Sequence, residues 1–206
     1  MRFPQPEDTS YEHSVSRTRQ KIIEASLNED LSEARQNLDH PEPTVRATAL
    51  VVLGGEVPLD EETLYIAMND SSFQVRSTLA YLSSKDTAIP IDRFLTDEDS
   101  AVVEIACWAS GERGEVSDKT LRMLQNIVEE HDDPLCRESA VAALGALGKR
   151  DALSSILKAV EDVATVRRRA VLALSPFHGP AVDAAVKKAL EDRDWQVRQA
   201  AEDIAK

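Results

Sequence analysis

Long apolar runs are missing from this chain. No segment approaches the ~18 uninterrupted apolar residues that a membrane span needs, and the N-terminus has no apolar core of a secretion signal. A cytoplasmic protein with no membrane partner is the expectation. Cysteine is scarce: Cys107 and Cys136 form no C-x-x-C pair and sit in no secreted context, which excludes a disulfide framework and leaves two small buried hydrophobes. Aromatic residues make up 4%, with seven Gly and nine Pro in 206 residues, a composition that suits Ala- and Leu-rich helices better than sheet. Basic residues are also short, 24 Lys and Arg against 37 Asp and Glu, for a net charge of −13. The imbalance is steeper in residues 1–103, nine against nineteen, than in 104–206, fifteen against eighteen. Phosphate neutralisation supplies most non-specific nucleic-acid affinity, so nucleic acid is disfavoured as a partner. Solubility is the plain reading of the acidity.

What the chain does have is a repeat. The stretch from Asp39 to Gly54, with Val45 followed by Arg46, returns with Val75, Val102, Cys136, Val166 and Val197 in the anchor place, at spacings of 30, 27, 34, 30 and 31 residues. A period near 30 describes a stacked array in which no unit buries its apolar face alone. Counted from the anchor, positions 0, +4, +7 and +8 are mostly apolar, as in Val45, Ala49, Val52 and Leu53, or Val166, Ala170, Ala173 and Leu174, and they form one helical face. Three residues before the anchor stand Glu42, Ser72, Asp99, Asp133 and Asp194. Pro43 and Pro134 follow two of them, so each anchor helix opens on an oxygen-bearing cap. Val163 breaks that rule.

The unit, acidic-x-(Pro)-x-Val-Arg-x-x-Ala-x-x-(Ala)-Leu-Gly, resembles the HEAT-like repeats of phycobilisome lyase relatives and of many bacterial adaptors. The resemblance covers about residues 30–206. Arg46, Arg76, Arg137, Arg167 and Arg198 follow their anchors, and Val103 is the exception. It implies an all-α, right-handed α-solenoid of about six helix pairs, with the anchor helices lining a concave face. It also implies that the Arg residues pair with acids of neighbouring units; the acids at anchor minus five are Asp70, Asp97, Glu161 and Asp192. Some relatives are lyases, iron hydroxylases or DNA glycosylases. The hydroxylases use His-Glu dipeptides as ligands, and none occurs here.

In chain order, residues 1–11 lack periodicity and read as a disordered tail, and 12–206 as one solenoid domain. A helix over 12–27 caps the first unit, offering Val15, Ile22, Ile23 and Leu27 for burial. Asp30 and Glu33 have capping-box spacing for a helix to Leu38. Gly54-Gly55 is a plausible left-handed helix end. The later first helices span about 60–68, 86–95, 117–130, 149–160 and 179–190. Their partners span 72–83, 100–110, 133–147, 163–174 and 194–205. Regularity fails between about 80 and 135, where function is sought first.

No catalytic or metal site emerges. His40 and His131 occupy equivalent turns three units apart, roughly 30 Å at the spacing of packed helices, and no cofactor is called for. Arg167-Arg168-Arg169 reads as a solvated helical face. Phe73 and Trp195, at anchor minus two, are expected to pack on the preceding helix of their own units. Position +6 is the informative one. It holds Val51, Tyr81, Trp108, Ala142 and Leu172, and the +3 residues Thr78, Ile105 and Arg169 lie beside it on the family geometry. Such a stripe would run ~40 Å and either is buried by curvature or forms a groove. The expected function is a non-catalytic scaffold binding a protein or peptide segment at Tyr81, Trp108, Ile105, Val51, Leu172, Thr78 and Arg169. The alternative is a lyase-like handler of a planar hydrophobic ligand; a DNA-glycosylase-like protein is disfavoured by the charge. Oligomeric state is open.

Overall fold

The computed structural model describes residues 9–205, and all regular structure among them is helical. The helices are α1 (Thr9–Ser26), α2 (Ser32–Gln36), α3 (Pro43–Glu56), α4 (Glu61–Met68), α5 (Phe73–Leu82), α6 (Ser100–Glu112), α7 (Asp118–Glu130), α8 (Pro134–Leu147), α9 (Leu153–Ala159), α10 (Ala164–Ala173), α11 (Pro180–Ala189) and α12 (Trp195–Ile204). Every anchor lies near the start of the second helix of its pair and is buried. The chain divides into two compact units, one up to Leu82 and one from Ser83 onward, where the periodicity alone predicts a single domain.

In the first unit α1 packs on α3 in the manner of a preceding repeat, and α3 packs on α5. Ile22, Ala34, Val45, Ala49 and Leu53 form the core, flanked by Val15, Leu31, Leu38, Val52 and Leu59. Helix α1 opens at Thr9, three residues before the expected start; the remainder of the expected tail, 1–8, lies outside the described residues. Only part of its apolar set is used, since Ile22 is buried while Ile23 and Leu27 face out. The expected capping box does not close. Asp30 Oδ1 accepts from the Ser32 amide at 2.9 Å instead, and α2 is a short helix of five residues.

In the second unit α6, α8, α10 and α12 are the anchor helices, and α7, α9 and α11 their partners. The helix expected over 86–95 is replaced by a loop and a 3-10 turn over Ile91–Thr96. Pro90 is the cause: it lacks an amide donor and disfavours helical geometry at Ile89. Ile89, Ile91, Phe94 and Leu95 are buried nonetheless. The loop is tied down by Arg113, whose Nε donates to the Ser83 carbonyl at 2.7 Å and whose Nη2 donates to those of Ile89 at 2.7 Å and Asp86 at 3.4 Å.

Caps follow chemistry. Asp99, Asp133 and Asp194 accept from the amides of Ala101, Leu135 and Gln196, and Ser72 Oγ from that of Gln74, while Glu42 and Val163 cap nothing. Gly54 does not end a helix, because α3 runs on to Glu56. Its role is close approach. Gly54, Gly111 and Gly145 all stand nine residues after their anchors. A Cβ on them would lie 2.6 Å from Leu82 Cδ1, 3.1 Å from Ala143 Cα and 2.7 Å from Ala173 Cβ respectively. Each of those neighbours sits at +7 of the following unit, so glycine lets successive anchor helices touch. The left-handed helix end belongs to Gly148, at φ 58° after α8.

Candidate binding faces

In the first unit, the side of α3 and α5 away from α2 and α4 carries the −1, +3 and +6 residues. With α1 it bounds an open groove of about 410 Å³ lined by Arg19, Ile23, Thr44, Thr48, Val51 and Thr78, among others. The floor is apolar and the rim is hydroxylic. Arg19 Nε donates to Thr48 Oγ1 at 2.9 Å, and Thr48 and Thr78 donate back to the carbonyls of Thr44 and Gln74, both at 2.8 Å. Val51 is 44% exposed and Tyr81, on α5, 43%. Arg19 escaped sequence reasoning because α1 carries no repeat motif that would assign it a neighbour, and Thr44 and Gln74, at −1 of the repeat, lie outside the +3 and +6 rows.

In the second unit, Trp108 on α6 is 38% exposed, Ile105 one turn earlier is half-buried, and Ala142 and Leu172 at the same register are half-buried. The +6 row is therefore open at Val51, Tyr81 and Trp108 and partly covered at Ala142 and Leu172. Arg169 Nη2 lies 3.4 Å from Glu138 Oε1, and its Nε is buried without a partner among the described residues. The neighbouring basic residues do not form one solvated face, since Arg167 is buried. Phe73 and Trp195 do not pack away as expected. Trp195 is 65% exposed, because anchor minus two points off the ridge that meets the preceding helices.

On the other side of the anchor helices stands the Arg-Asp ladder. Arg46 grips Asp70 through Nε at 2.8 Å and Nη2 at 2.7 Å, Arg137 grips Asp162 at 2.8 and 2.7 Å, and Arg167 grips Asp192 at 2.9 and 2.8 Å. Nη1 of each donates to backbone carbonyls of its own unit's turn, as from Arg46 to His40 at 2.8 Å or Arg137 to His131 at 2.7 Å. Arg76 Nη1 does the same to Asp70, at 2.8 Å. This is the fork geometry that suits guanidinium and carboxylate. Burial pushes the Asp70 carboxyl up, but the Arg46 bonds and the Ser72 amide outweigh it and hold it below the usual aspartate range. The Arg137 and Arg167 bonds likewise lower Asp162 and Asp192 against the effect of burial.

The fifth unit departs from the expected register. Asp162, not Glu161, is the ladder acid, and Glu161 pairs with Lys188 at 2.6 Å. Asp162 also accepts from the adjacent Val163 amide at 2.6 Å, the cap amide that in other units goes to an acid two residues earlier. The histidines have structural work in the same place. Nδ1 of His40 accepts from the Glu42 amide at 3.0 Å and Nδ1 of His131 from that of Asp133 at 3.1 Å, as Asp70, Asp97 and Asp192 do in their turns. No group of three or more His, Cys, Asp or Glu residues able to hold a metal occurs among the described residues. Both thiols are buried, which raises Cys107 well above its ordinary value and Cys136 to about 11, so neither is a thiolate near neutrality. Cys136 Sγ donates to the Ser100 carbonyl at 3.2 Å. No described helix is long and apolar enough to cross a membrane.

The HEAT repeats family matches residues 121–205. That segment is built of HEAT-like repeats, and the anchors and caps before it, with the Arg46–Asp70 fork, follow the same plan. Among solved structures it is similar to an engineered protein, at a TM-score of 0.52 and 16% identity over 84% of this chain and 93% of that one. It is also similar to a designed armadillo repeat protein in complex with peptide (KR)4, at a TM-score of 0.47 and 16% identity over 98% and 94%. The first likeness is one of fold alone. No curated protein sequence matches the chain.

Proposed function

We propose that this chain is a non-catalytic scaffold that holds a protein or peptide segment against the open face of its anchor helices. Val51 and Thr78, with Tyr81, serve in the first unit, and Trp108 with Ile105 in the second; Leu172 and Arg169 extend the second face. The observation that carries the reading is that +6, two positions off the buried ridge, holds large apolar side chains that remain more than a third exposed at Val51, Tyr81 and Trp108. Exposed aromatic and aliphatic anchors of this kind concentrate binding energy. The partner is neutral or basic in net charge, given the −13 of this chain.

Selection of displayed random peptides on the intact protein, followed by titration, tests it. Selected peptides are expected to bind Val51→Asp or Trp108→Ala at least about tenfold more weakly, the equivalent of ~1.4 kcal/mol, with unchanged circular dichroism. Peptides that bind both variants as well as the parent would remove the proposal.

A further inference from the structure

The groove of the first unit is walled by α1, α3 and α5, and among the described residues that line it Arg19 alone is charged. Its guanidinium is held by one edge. Nε donates to Thr48 Oγ1 at 2.9 Å, and that hydroxyl is itself fixed by donating to the Thr44 carbonyl at 2.8 Å. Nη1 and Nη2 make no bond to any described residue. Glu42, the acid at the start of α3, is engaged elsewhere, accepting from Tyr11 Oη and Thr44 Oγ1, both at 3.3 Å. A cation therefore stands in the groove, oriented but without a counter-charge. Tyr11 meets Glu42 and Arg19 meets Thr48, so α1 and α3 run in the same direction, and the residues one turn further on lie at the same end of the groove. Those residues are apolar. Ile23, about 6 Å along α1 from Arg19, is 47% exposed, and Val51 is 44% exposed. On the α5 wall the Gln74 side chain makes no hydrogen bond to a described residue.

We infer, resting on the reading that this face holds a polypeptide segment, that the first unit selects a segment whose Asp or Glu stands about 6 Å from an aliphatic side chain. The carboxylate takes the open Nη edge of Arg19, the aliphatic group covers Ile23 and Val51, and the Gln74 amide bonds the segment's main chain. A segment without an acid would strip water from the guanidinium and return no partner, which is costly in proportion to how well it covers the groove. The planar pair of Nη groups matches the two oxygens of a carboxylate. A phosphate brings up to about two charges, against a single cation in the lining. The acid is local, and the partner as a whole remains neutral or basic opposite a chain of net charge −13.

The test begins with peptides selected by random display against the full chain, of which those weakened by Val51→Asp belong to the first unit. Each of these is expected to carry an acid. Remade with asparagine or glutamine at that place and titrated by fluorescence anisotropy at physiological salt, it is expected to bind at least about fivefold more weakly, more than a freely moving surface pair supplies. Arg19→Gln in the protein is expected to weaken the acidic peptide to the same extent and to leave the amide peptide unchanged, a coupling that a loss of packing would not produce. Val51-dependent peptides that lack an acid, amide peptides that bind as tightly as their parents, or acidic peptides that bind Arg19→Gln undiminished overturn the inference while the scaffold reading stands. Peptides that depend on Trp108 alone do the same, by moving the contact to the second unit. Selection of no peptide, or only of peptides that neither Val51→Asp nor Trp108→Ala weakens, removes both.

Discussion

Two joints of the molecule carry the same fork over very different space. Between α3 and α5, Arg46 and Asp70 close over a hollow of about 80 Å³ lined by Leu50, Thr63, Ile66 and Ala67. Between α10 and α12, Arg167 and Asp192 do the same over about 330 Å³ lined by Val171, Ala185, Lys188 and Ala189. The residues correspond position by position, Leu50 with Val171, Thr63 with Ala185 and Ile66 with Lys188. The extra room follows from smaller side chains and from a lysine that reaches out to Glu161 rather than in. Fork distances agree to within about a tenth of an ångström while the volumes differ about fourfold. The ladder therefore sets the joint's geometry, and apolar filling sets how much stabilisation the joint adds.

The largest expected effect separates the joints by filling. Leu50→Ala, at a fully buried site in the tighter joint, should cost about 3 kcal/mol, transfer plus new cavity. Val171→Ala, on the wall of a hollow that already exists, should cost about 1 to 2 kcal/mol. Urea unfolding of the two variants measures the difference. Equal costs would break the comparison by showing that the larger hollow is no looser than the smaller.

Next come the forks, where the joints should agree. Arg46→Ala and Arg167→Ala should each cost about 2 to 3 kcal/mol, since each removes bidentate bonds to a mostly buried carboxylate. A large gap between the two midpoints would mean that packing governs the fork after all. Acid should reach both alike. The folded carboxyls of Asp70 and Asp192 titrate below the ordinary aspartate value. Their contribution is thus fully present above about pH 3.9 and is lost as pH falls through the depressed folded values. Asp70→Asn or Asp192→Asn should flatten the fall of midpoint with pH in that range, and an unchanged slope would show that other carboxylates dominate acid unfolding.

Much of this was legible in the sequence. The anchors and the helix starts at Asp99, Asp133 and Asp194 follow from a period that repeats the same chemistry at the same register, and the pairing of ladder arginines with acids of neighbouring units is what the resemblance to HEAT-like repeats implies. Misreadings arose where one residue served a purpose that local pattern does not encode. Gly54 looks like a helix end, yet it stands inside α3 where the end of the Leu82 side chain, 28 residues away, closes on it. Pro90 lies within an apolar pattern that keeps its burial and loses its helix. Glu161 holds the ladder register but yields to Asp162 because Val163 cannot cap, and the turn resets by one residue. Of the candidate face, the +6 row was visible as a row. Which members are open depends on side-chain size in neighbouring units, and Arg19 enters only through packing of the non-repeating α1.

A smaller effect sharpens the contrast between the +9 glycines. A methyl at Gly145 would meet Ala173 Cβ at 2.7 Å and Cα at 2.8 Å, where only backbone movement relieves the clash. Gly145→Ala should therefore destabilise by about 2 kcal/mol. At Gly54 the obstacle is the end of the Leu82 side chain, which can rotate, and the alanine gains up to about 1 kcal/mol of helix propensity. Gly54→Ala should change stability by less than about 1 kcal/mol. Equal losses would show that the first unit is packed as rigidly as the second.

The smallest effect is a gain. Ala185 faces the larger hollow from α11, and leucine there keeps a good helix former while adding three carbons to space walled by Val171, Ala189 and Val197. Burial is worth about 0.8 kcal/mol per methylene when complete. The hollow is open at its charged rim, where Lys188 and Glu161 meet, so desolvation of the added carbons is partial and side-chain ordering opposes it. Ala185→Leu should raise stability by about 0.5 to 1 kcal/mol, read as a higher urea midpoint at unchanged slope. The gain should persist in high salt, because it comes from apolar contact rather than from the rim pair. A loss would mean that the side chain cannot enter, and that the volume difference between the joints is a matter of surface shape rather than of missing filling.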